Sequence, residues 1–273
     1  NDSLVLEASN MFRTWQVDVK KYLKAGANNL HVYFESPVKK AATDWSALGY
    51  ELPGGIRTMT RKAQFHYGWD WGPRFVGCGI LQLPELVAWD DFLLENVFIT
   101  TQRVSEKEAL LVARFRYRSD IETPTTIFFR EGKRKSVEDR IIHPGVHEDS
   151  VTYSIDNPKL WWCNGMGEPH LYDFSIEVKQ RGSLTLDKSE IRTGIRTVEL
   201  ITEPDNAGKS FYFKLNGKPV FCKGANYIPQ DMFQERVSPE RYKRLLDDVV
   251  GANMNMLRVW GGGIYEDDLF YQL

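Results

Sequence analysis

Cysteine is scarce. The 273 residues hold three, Cys78, Cys163 and Cys222, far apart and without a CxxC pair. That excludes a disulfide framework and a thiolate zinc site. Each reads as a small buried hydrophobe, and the redox compartment stays open. Long apolar runs are missing too. None approaches the roughly 18 residues a membrane helix needs, so no membrane partner is expected. The N-terminus shows no basic start followed by an apolar stretch, so no signal peptide is read there. Localisation stays open between periplasmic, secreted or lysosome-like, if a leader has been removed, and cytoplasmic. Charge of one sign is not in excess: 35 Lys and Arg face 37 Asp and Glu, a net charge of -2. Without a block of like charge no nucleic-acid tail is present. Nucleotide-binding loops are absent, since Gly261-Gly262-Gly263 fits neither GxGxxG nor GxxxxGK[ST]. No GxSxG elbow occurs. His143 and His147 are four apart, but Pro144-Gly145 between them breaks any helix that would make them metal ligands. No metal and no cofactor are expected.

What is present is an ordinary folded composition, 42% hydrophobic and 26% charged. The length is about twice that of one domain and suggests two. One count stands out: aromatics make up 13% of the chain, with 8 Trp, 12 Tyr and 15 Phe.

The first two-thirds read as strands. Trp15, Val17 and Val19 alternate with polar residues, and Leu30, Val32 and Phe34 alternate again after a turn-rich stretch. Residues 36–79 look irregular and carry the dense cluster from Phe65 through Trp69-Asp70-Trp71 to Pro73. A loop this long is usually functional or disordered, and its aromatics argue against disorder. A second all-β stretch starts near Leu94. Leu111, Ala113, Phe115 and Tyr117 alternate with Val112, Arg114 and Arg116. Further runs at 125–129, 151–155 and 174–178 are separated by Glu131-Gly132, Pro144-Gly145, Asn157-Pro158 and Arg181-Gly182. That spacing suggests an immunoglobulin-like sandwich, without the Cys…Trp…Cys pattern of true immunoglobulin domains. Trp161-Trp162 reads as sandwich core.

The texture changes after about Leu200. Phe211, Phe213 and Leu215 lead into Asn216-Gly217, a hairpin signal. Ser238-Pro239 supplies an N-cap and first-turn proline. Tyr242, Leu245, Leu246 and Val249 form an amphipathic stripe that Gly251 is placed to end. Residues 256–260 read as a buried strand, and a helix begins near Glu266. Strand, helix, strand, helix is the start of a parallel βα repeat. Two strands cannot close a parallel core, so the chain is expected to be cut inside a domain.

Two groups could carry chemistry. If the last segment opens a barrel, Asn226, Arg258 and Trp260 lie at the ends of strands facing a site. Otherwise Trp260 is core and Arg258 an ion-pair partner. Trp69-Asp70-Trp71 places a carboxylate between two indoles, a pattern that suits carbohydrate: carboxylates accept from adjacent hydroxyls, and indole faces stack on pyranose C–H faces. Otherwise it is a packed loop in which Asp70 caps a turn. Among the remaining histidines, His31 faces solvent, His170 belongs to a turn and His66 is a possible site residue.

Several segments resemble glycoside hydrolase family 2: Gly194-Ile195-Arg196-Thr197-Val198-Glu199-Leu200, Phe211-Tyr212-Phe213-Lys214-Leu215-Asn216-Gly217 and Lys223-Gly224-Ala225-Asn226-Tyr227-Ile228-Pro229. The stretch 253–266, with Arg258-Val259-Trp260-Gly261-Gly262-Gly263, resembles the β-mannosidase branch, as do Trp69-Asp70-Trp71-Gly72-Pro73 and Asn10-Met11-Phe12-Arg13. The resemblance covers nearly the whole chain. It implies a multidomain, mainly β fold. The C-terminal part of a jelly-roll, galactose-binding-like domain would occupy 1–92 and an immunoglobulin-like β-sandwich 93–197. The first βα units of a TIM (β/α)8 barrel would fill 198–273. It implies a retaining exo-glycosidase acting on terminal β-D-mannosides, with carbohydrate as partner and an open oligomeric state. Its two catalytic glutamates would lie beyond Leu273, since no Asn-Glu pair occurs in the barrel segment. The chain alone is thus expected to be an inactive fragment. Trp69, Asp70 and Trp260 would bind the nonreducing sugar, with Arg258 and Asn226 in support. The alternatives are another family specificity (β-galactosidase or β-glucuronidase) and a non-catalytic carbohydrate-binding protein.

Overall fold

The computed structural model describes residues 3–181 and 184–273. The chain divides into two compact units. One comprises Asn1–Glu85, Ala225–Asp248 and Leu257–Leu273; the other comprises Leu86–Gly224 and Val249–Met256. The fold is mainly β, with few helices.

In the second unit seven strands form two antiparallel sheets. They are β1 (Phe92–Val104), β2 (Glu108–Ser119), β3 (Thr123–Glu131), β4 (Arg134–Ile142), β5 (Gly145–Asp156), β6 (Tyr172–Gln180) and β7 (Thr185–Thr193). The sheet orders are β1-β2-β5 and β4-β3-β6-β7. Alternation decides the faces. In β2, Leu111, Ala113, Phe115 and Tyr117 are buried, while Arg114 and Arg116 face water. Val112 is buried as well, against the period-2 pattern. Both sheets supply one core, in which Phe129 stacks on Phe174 (centroids 5.4 Å) and meets Tyr153 edge-on at 5.3 Å. The Leu94 N–H donates to the Asp187 carboxylate (2.7 Å), tying β1 to β7. On the wet face Arg116 and Arg118 converge on Glu95 at 2.8 and 3.2 Å. The Glu131-Gly132, Pro144-Gly145 and Asn157-Pro158 turns fall between strands as expected, and Gly182 lies outside the described residues.

Trp161 and Trp162 are not core. They are half-buried, and turns rather than strand alternation follow them. Trp161 lies against the chain at Gly194, where a Cβ would come within 2.5 Å of its own Cβ, and the Arg196 guanidinium covers its ring at 4.5 Å. The cysteine reading holds only for Cys163. Cys78 and Cys222 are exposed, because neither sits on a paired strand that would turn it inward.

A further sheet joins β8 (Val198–Ile201), β11 (Tyr212–Leu215) and β12 (Lys218–Val220), with a short hairpin, β9 (Pro204–Asp205) and β10 (Gly208–Lys209), between. Asn216 and Gly217 turn β11 into β12 with φ of 51° and 75°, the left-handed pair of a type I′ turn. The Asn216 side chain also accepts from the Thr197 N–H (3.0 Å) and donates to the Trp161 carbonyl (2.9 Å).

The first unit overturns the reading of early strands. Residues 3–91 form no strand among those described, only isolated bridges at Asn10–Arg61 and Trp69–Gly72. Trp15, Val17, Leu30, Val32 and Phe34 are exposed on chain that has no paired neighbour. An alternating segment becomes a strand only when another supplies its ladder. The expected jelly-roll sheets are therefore not formed by the described residues. Part of the stretch read as irregular is a helix, α1 (Pro37–Ala47). Ser36 caps it by accepting from the Lys39 N–H, with Pro37 at N1.

The last segment follows the expected order: β13 (Gly224–Tyr227), α2 (Pro239–Gly251), β14 (Met256–Val259) and α3 (Asp268–Gln272). Lys223 O accepts from Asn255 N (2.8 Å) and Tyr227 O from Trp260 N (2.8 Å), so β13 and β14 run parallel. Gly224 is required there, since a Cβ would lie 1.8 Å from the Met256 carbonyl oxygen. Ser238 Oγ accepts from Arg241 N (3.4 Å) at the start of α2. Gly251 does not supply the left-handed stop; Asn253 does, with φ of 56°. Tyr227, Val237, Tyr242 and Phe270 form a small core between these elements. The β13-β14 sheet has two strands.

Candidate functional site

The aromatic cluster is built on tight turns. A 3-10 turn over Gln64–Tyr67 ends at Gly68, whose φ of 101° only glycine adopts without strain. Trp69 and Gly72 then exchange backbone bonds, Trp69 N to Gly72 O (3.0 Å) and Gly72 N to Trp69 O (3.2 Å). Asp70 and Trp71 form the tip. Asp70 is exposed, and among the described residues no hydrogen bond engages its carboxylate.

Trp260 follows β14 and contacts both indoles. Its ring centroid is 5.3 Å from that of Trp69, tilted 59°, and 6.1 Å from that of Trp71, at 84°. The Trp260 ring lies over Gly262, where a Cβ would come within 2.3 Å of it. Trp71 also leans on Phe65 at 5.3 Å. Trp69 remains 39% exposed. Sequence-distant Trp69 and Trp260 are thus brought together, with Asp70 next to Trp69 on the tip. Arg258, two residues before Trp260, donates from Nη1 to Asn226 Oδ1 (3.1 Å); both are exposed. These two meet each other across β13 and β14. Among the described residues no hydrogen bond links them to Asp70.

Two participants lack any motif of their own. The Arg57 guanidinium lies 5.4 Å from the Trp69 ring centre, a cation–π contact. Met232 packs on Gly72, where a Cβ would come within 2.5 Å of Sδ, and its carbonyl meets His66 Nε2 at 2.9 Å. His66 itself, noted from sequence as possible, is buried. Burial, then the charge of Lys62, holds its imidazole below the usual histidine range. Glu266, the last residue of the 253–266 match and a helix start by sequence, belongs to a separate cluster. It is 6% exposed and accepts from the Tyr242 hydroxyl at 2.6 Å. Burial pushes the Tyr227 phenol up to about 12 and the Tyr242 phenol higher still, with Glu266 opposing ionisation of both. This cluster anchors the start of α3 to α2.

Indole rings stack on the C–H faces of polyhydroxyl rings and carboxylates accept from hydroxyls; of these groups Trp69 is 39% exposed and the Asp70 carboxylate is exposed. Among the described residues no three His, Cys, Asp or Glu side chains group as metal ligands, and no helix is long and apolar enough to cross a membrane.

Two family models match. Residues 1–82 fit the glycosyl hydrolase 2 galactose-binding domain-like model, and residues 93–196 fit glycosyl hydrolases family 2. The chain belongs to glycoside hydrolase family 2. Among curated family members, β-mannosidase B of Aspergillus terreus is 34% identical across 100% of the chain, which spans 33% of that protein. The Aspergillus niger β-mannosidase B is 33% identical, also over 100% of the chain and 33% of the relative. Among solved structures, β-D-mannosidase from Dictyoglomus thermophilum superposes with a TM-score of 0.92 at 38% identity, over 98% of this chain and 34% of that one. The exo-chitosanase CsxA of Amycolatopsis orientalis, 22% identical over 67% of the chain with a TM-score of 0.57, shares the fold. The chain spans about a third of the length of the β-mannosidases it matches.

Proposed function

We propose that the chain is part of a retaining exo-β-mannosidase in which Trp69, Asp70 and Trp260 bind the terminal mannose. The observation that carries this is the pairing of Trp69 with Trp260, 5.3 Å apart, beside an unengaged Asp70, in a chain similar over its whole length to β-mannosidases. The indoles take the apolar face of the pyranose and Asp70 accepts from adjacent hydroxyls. Arg258 and Asn226 support the pocket as a hydrogen-bonded pair.

Retention needs two carboxyl groups about 5–5.5 Å apart, one acid/base and one nucleophile. In this reading both come from glutamates outside the 273 residues. In this reading residues 1–92 are the C-terminal part of a galactose-binding-like domain, 93–197 an immunoglobulin-like sandwich, and 198–273 the first βα units of a (β/α)8 barrel. The parallel β13-β14 pair with α2 between them supports the last of these.

The test uses the full-length product of the gene on a panel of nitrophenyl glycosides. β-Mannoside should be the best substrate, and a better galactoside or glucuronide would assign another specificity. The 273 residues alone should give no turnover. Asp70→Ala in the full-length protein should lower kcat/KM about ten- to a hundredfold, the value of a desolvated hydroxyl–carboxylate bond. An unchanged kcat/KM would return Asp70 to a structural role.

A further inference from the structure

We infer that His66 is a positioning residue, a latch that fixes the Trp69-Asp70-Trp71 turn by bonding the carbonyl of Met232; this rests on the sugar-binding reading of that turn. His66 is 5% exposed, and its Nε2 lies 2.9 Å from Met232 O. A carbonyl only accepts, so Nε2 carries the proton. Nδ1 has no partner among the described residues. The ring is therefore a neutral donor with one defined tautomer.

Met232 holds the loop at both ends. Its carbonyl accepts a hydrogen bond from His66 Nε2 before the turn. Its Sδ fills the space that a Cβ at Gly72 would occupy after it. Phe75 N donates to His66 O (2.9 Å), closing residues 66–75 into one loop, and the Phe75 ring meets Phe233 at 5.8 Å. Residues 228–237 lead from β13, which carries Asn226, into α2. The His66–Met232 bond thus spans 166 positions and joins the loop that presents Trp69 and Asp70 to the connection beside Trp260. Without the donor, the Met232 carbonyl loses its buried partner and the base of the loop is free to shift. A shift of about 1 Å at a binding group is enough to weaken a subsite severely.

The experiment compares His66→Leu, which keeps bulk and removes the donor, with His66→Gln, which restores one, in the full-length gene product on nitrophenyl β-mannoside. His66→Leu should raise KM about tenfold or more while kcat changes less than about threefold. His66→Gln should recover most of the KM. A purely structural histidine would lower Tm and leave the KM of the folded enzyme unchanged, and that result overturns the latch. If His66→Leu does not fold, Gly72→Ala carries the same test. Its Cβ pushes on Met232 at the other end of the loop, the residue that accepts from His66, so an unchanged KM there also overturns the proposal. Asp70→Ala separates the two readings. If it raises KM and His66→Leu does not, the latch is wrong and the sugar site stands. If Asp70→Ala has no effect, the site reading fails and the latch falls with it.

Discussion

The two units solve the problem of burial differently. The sandwich collects sixteen buried residues into one core fed by both sheets. Among the described residues the other unit holds two small clusters, of four and three buried residues, the first completed by half-buried aliphatics and the second by aromatics and aliphatics. In the sandwich nearly all of the buried side chains sit on paired strands. In the first unit Trp69 and Trp260 stay partly open. A large shared core yields stability that tolerates little change; small cores leave more of the aromatic side chains at the surface.

The largest effect that would break this contrast is expected in the sandwich. Phe129→Ala removes a fully buried ring that contacts Tyr153 and Phe174, and should cost about 3–5 kcal/mol in urea unfolding. A loss below about 1 kcal/mol would show that the shared core is not what holds the unit. Next is Tyr242→Phe in the first unit. It leaves the buried Glu266 without its hydroxyl donor, and a loss of about 1.5–3 kcal/mol is expected by thermal melts. Asn216→Ala removes a left-handed turn residue and two hydrogen bonds, and should cost about 1–2 kcal/mol, read in the same melts.

Acid should separate the units. His66 has its proton affinity lowered in the fold, so below the unfolded value of 6.5 the unfolded chain binds more protons and stability falls with pH. In the sandwich Glu177 is shifted down. Burial opposes that shift, but hydrogen bonds from Lys179 and Thr185 outweigh it, so its contribution is present above 4.5 and lost only as pH falls below that. Hydrogen exchange between pH 6.5 and 4.5 should therefore loosen residues 61–75 before any sandwich strand. The smallest effect is Asp70→Ala on stability, within about 0.5 kcal/mol, because the carboxylate is exposed and unengaged. A larger loss would mean that Asp70 serves the turn.

The sandwich was legible because period 2 is written along each of β2, β3, β5 and β6 itself, whatever strand it pairs with. The Asn216-Gly217 hairpin and the Ser238-Pro239 cap were legible for the same reason: both are local. The alternation at 15–19 and 30–34 misled because nothing among the described residues pairs with it. The helix at 37–47 carried its signal, Ser36-Pro37, inside a stretch read as irregular. Glycine at 251 looked like the helix stop, while Asn253 took the left-handed position. At the candidate site, the motif residues Trp69, Asp70, Trp260, Arg258 and Asn226 were named from sequence. Arg57 and Met232 were not, since a cation over an indole and a carbonyl opposite a histidine leave no pattern along the chain.

By itself the sequence determined the family, the sandwich strands, the parallel βα order near residue 224 onward and the residue types suited to a sugar. All of these are set by short-range periodicity, turn chemistry or local motif. Only the tertiary structure decided that Trp260 meets both Trp69 and Trp71, that Met232 contacts both ends of the aromatic loop, and that Glu266 is buried against Tyr242. Those contacts join residues 24 to nearly 200 positions apart, and burial, rather than any local preference, brings them together.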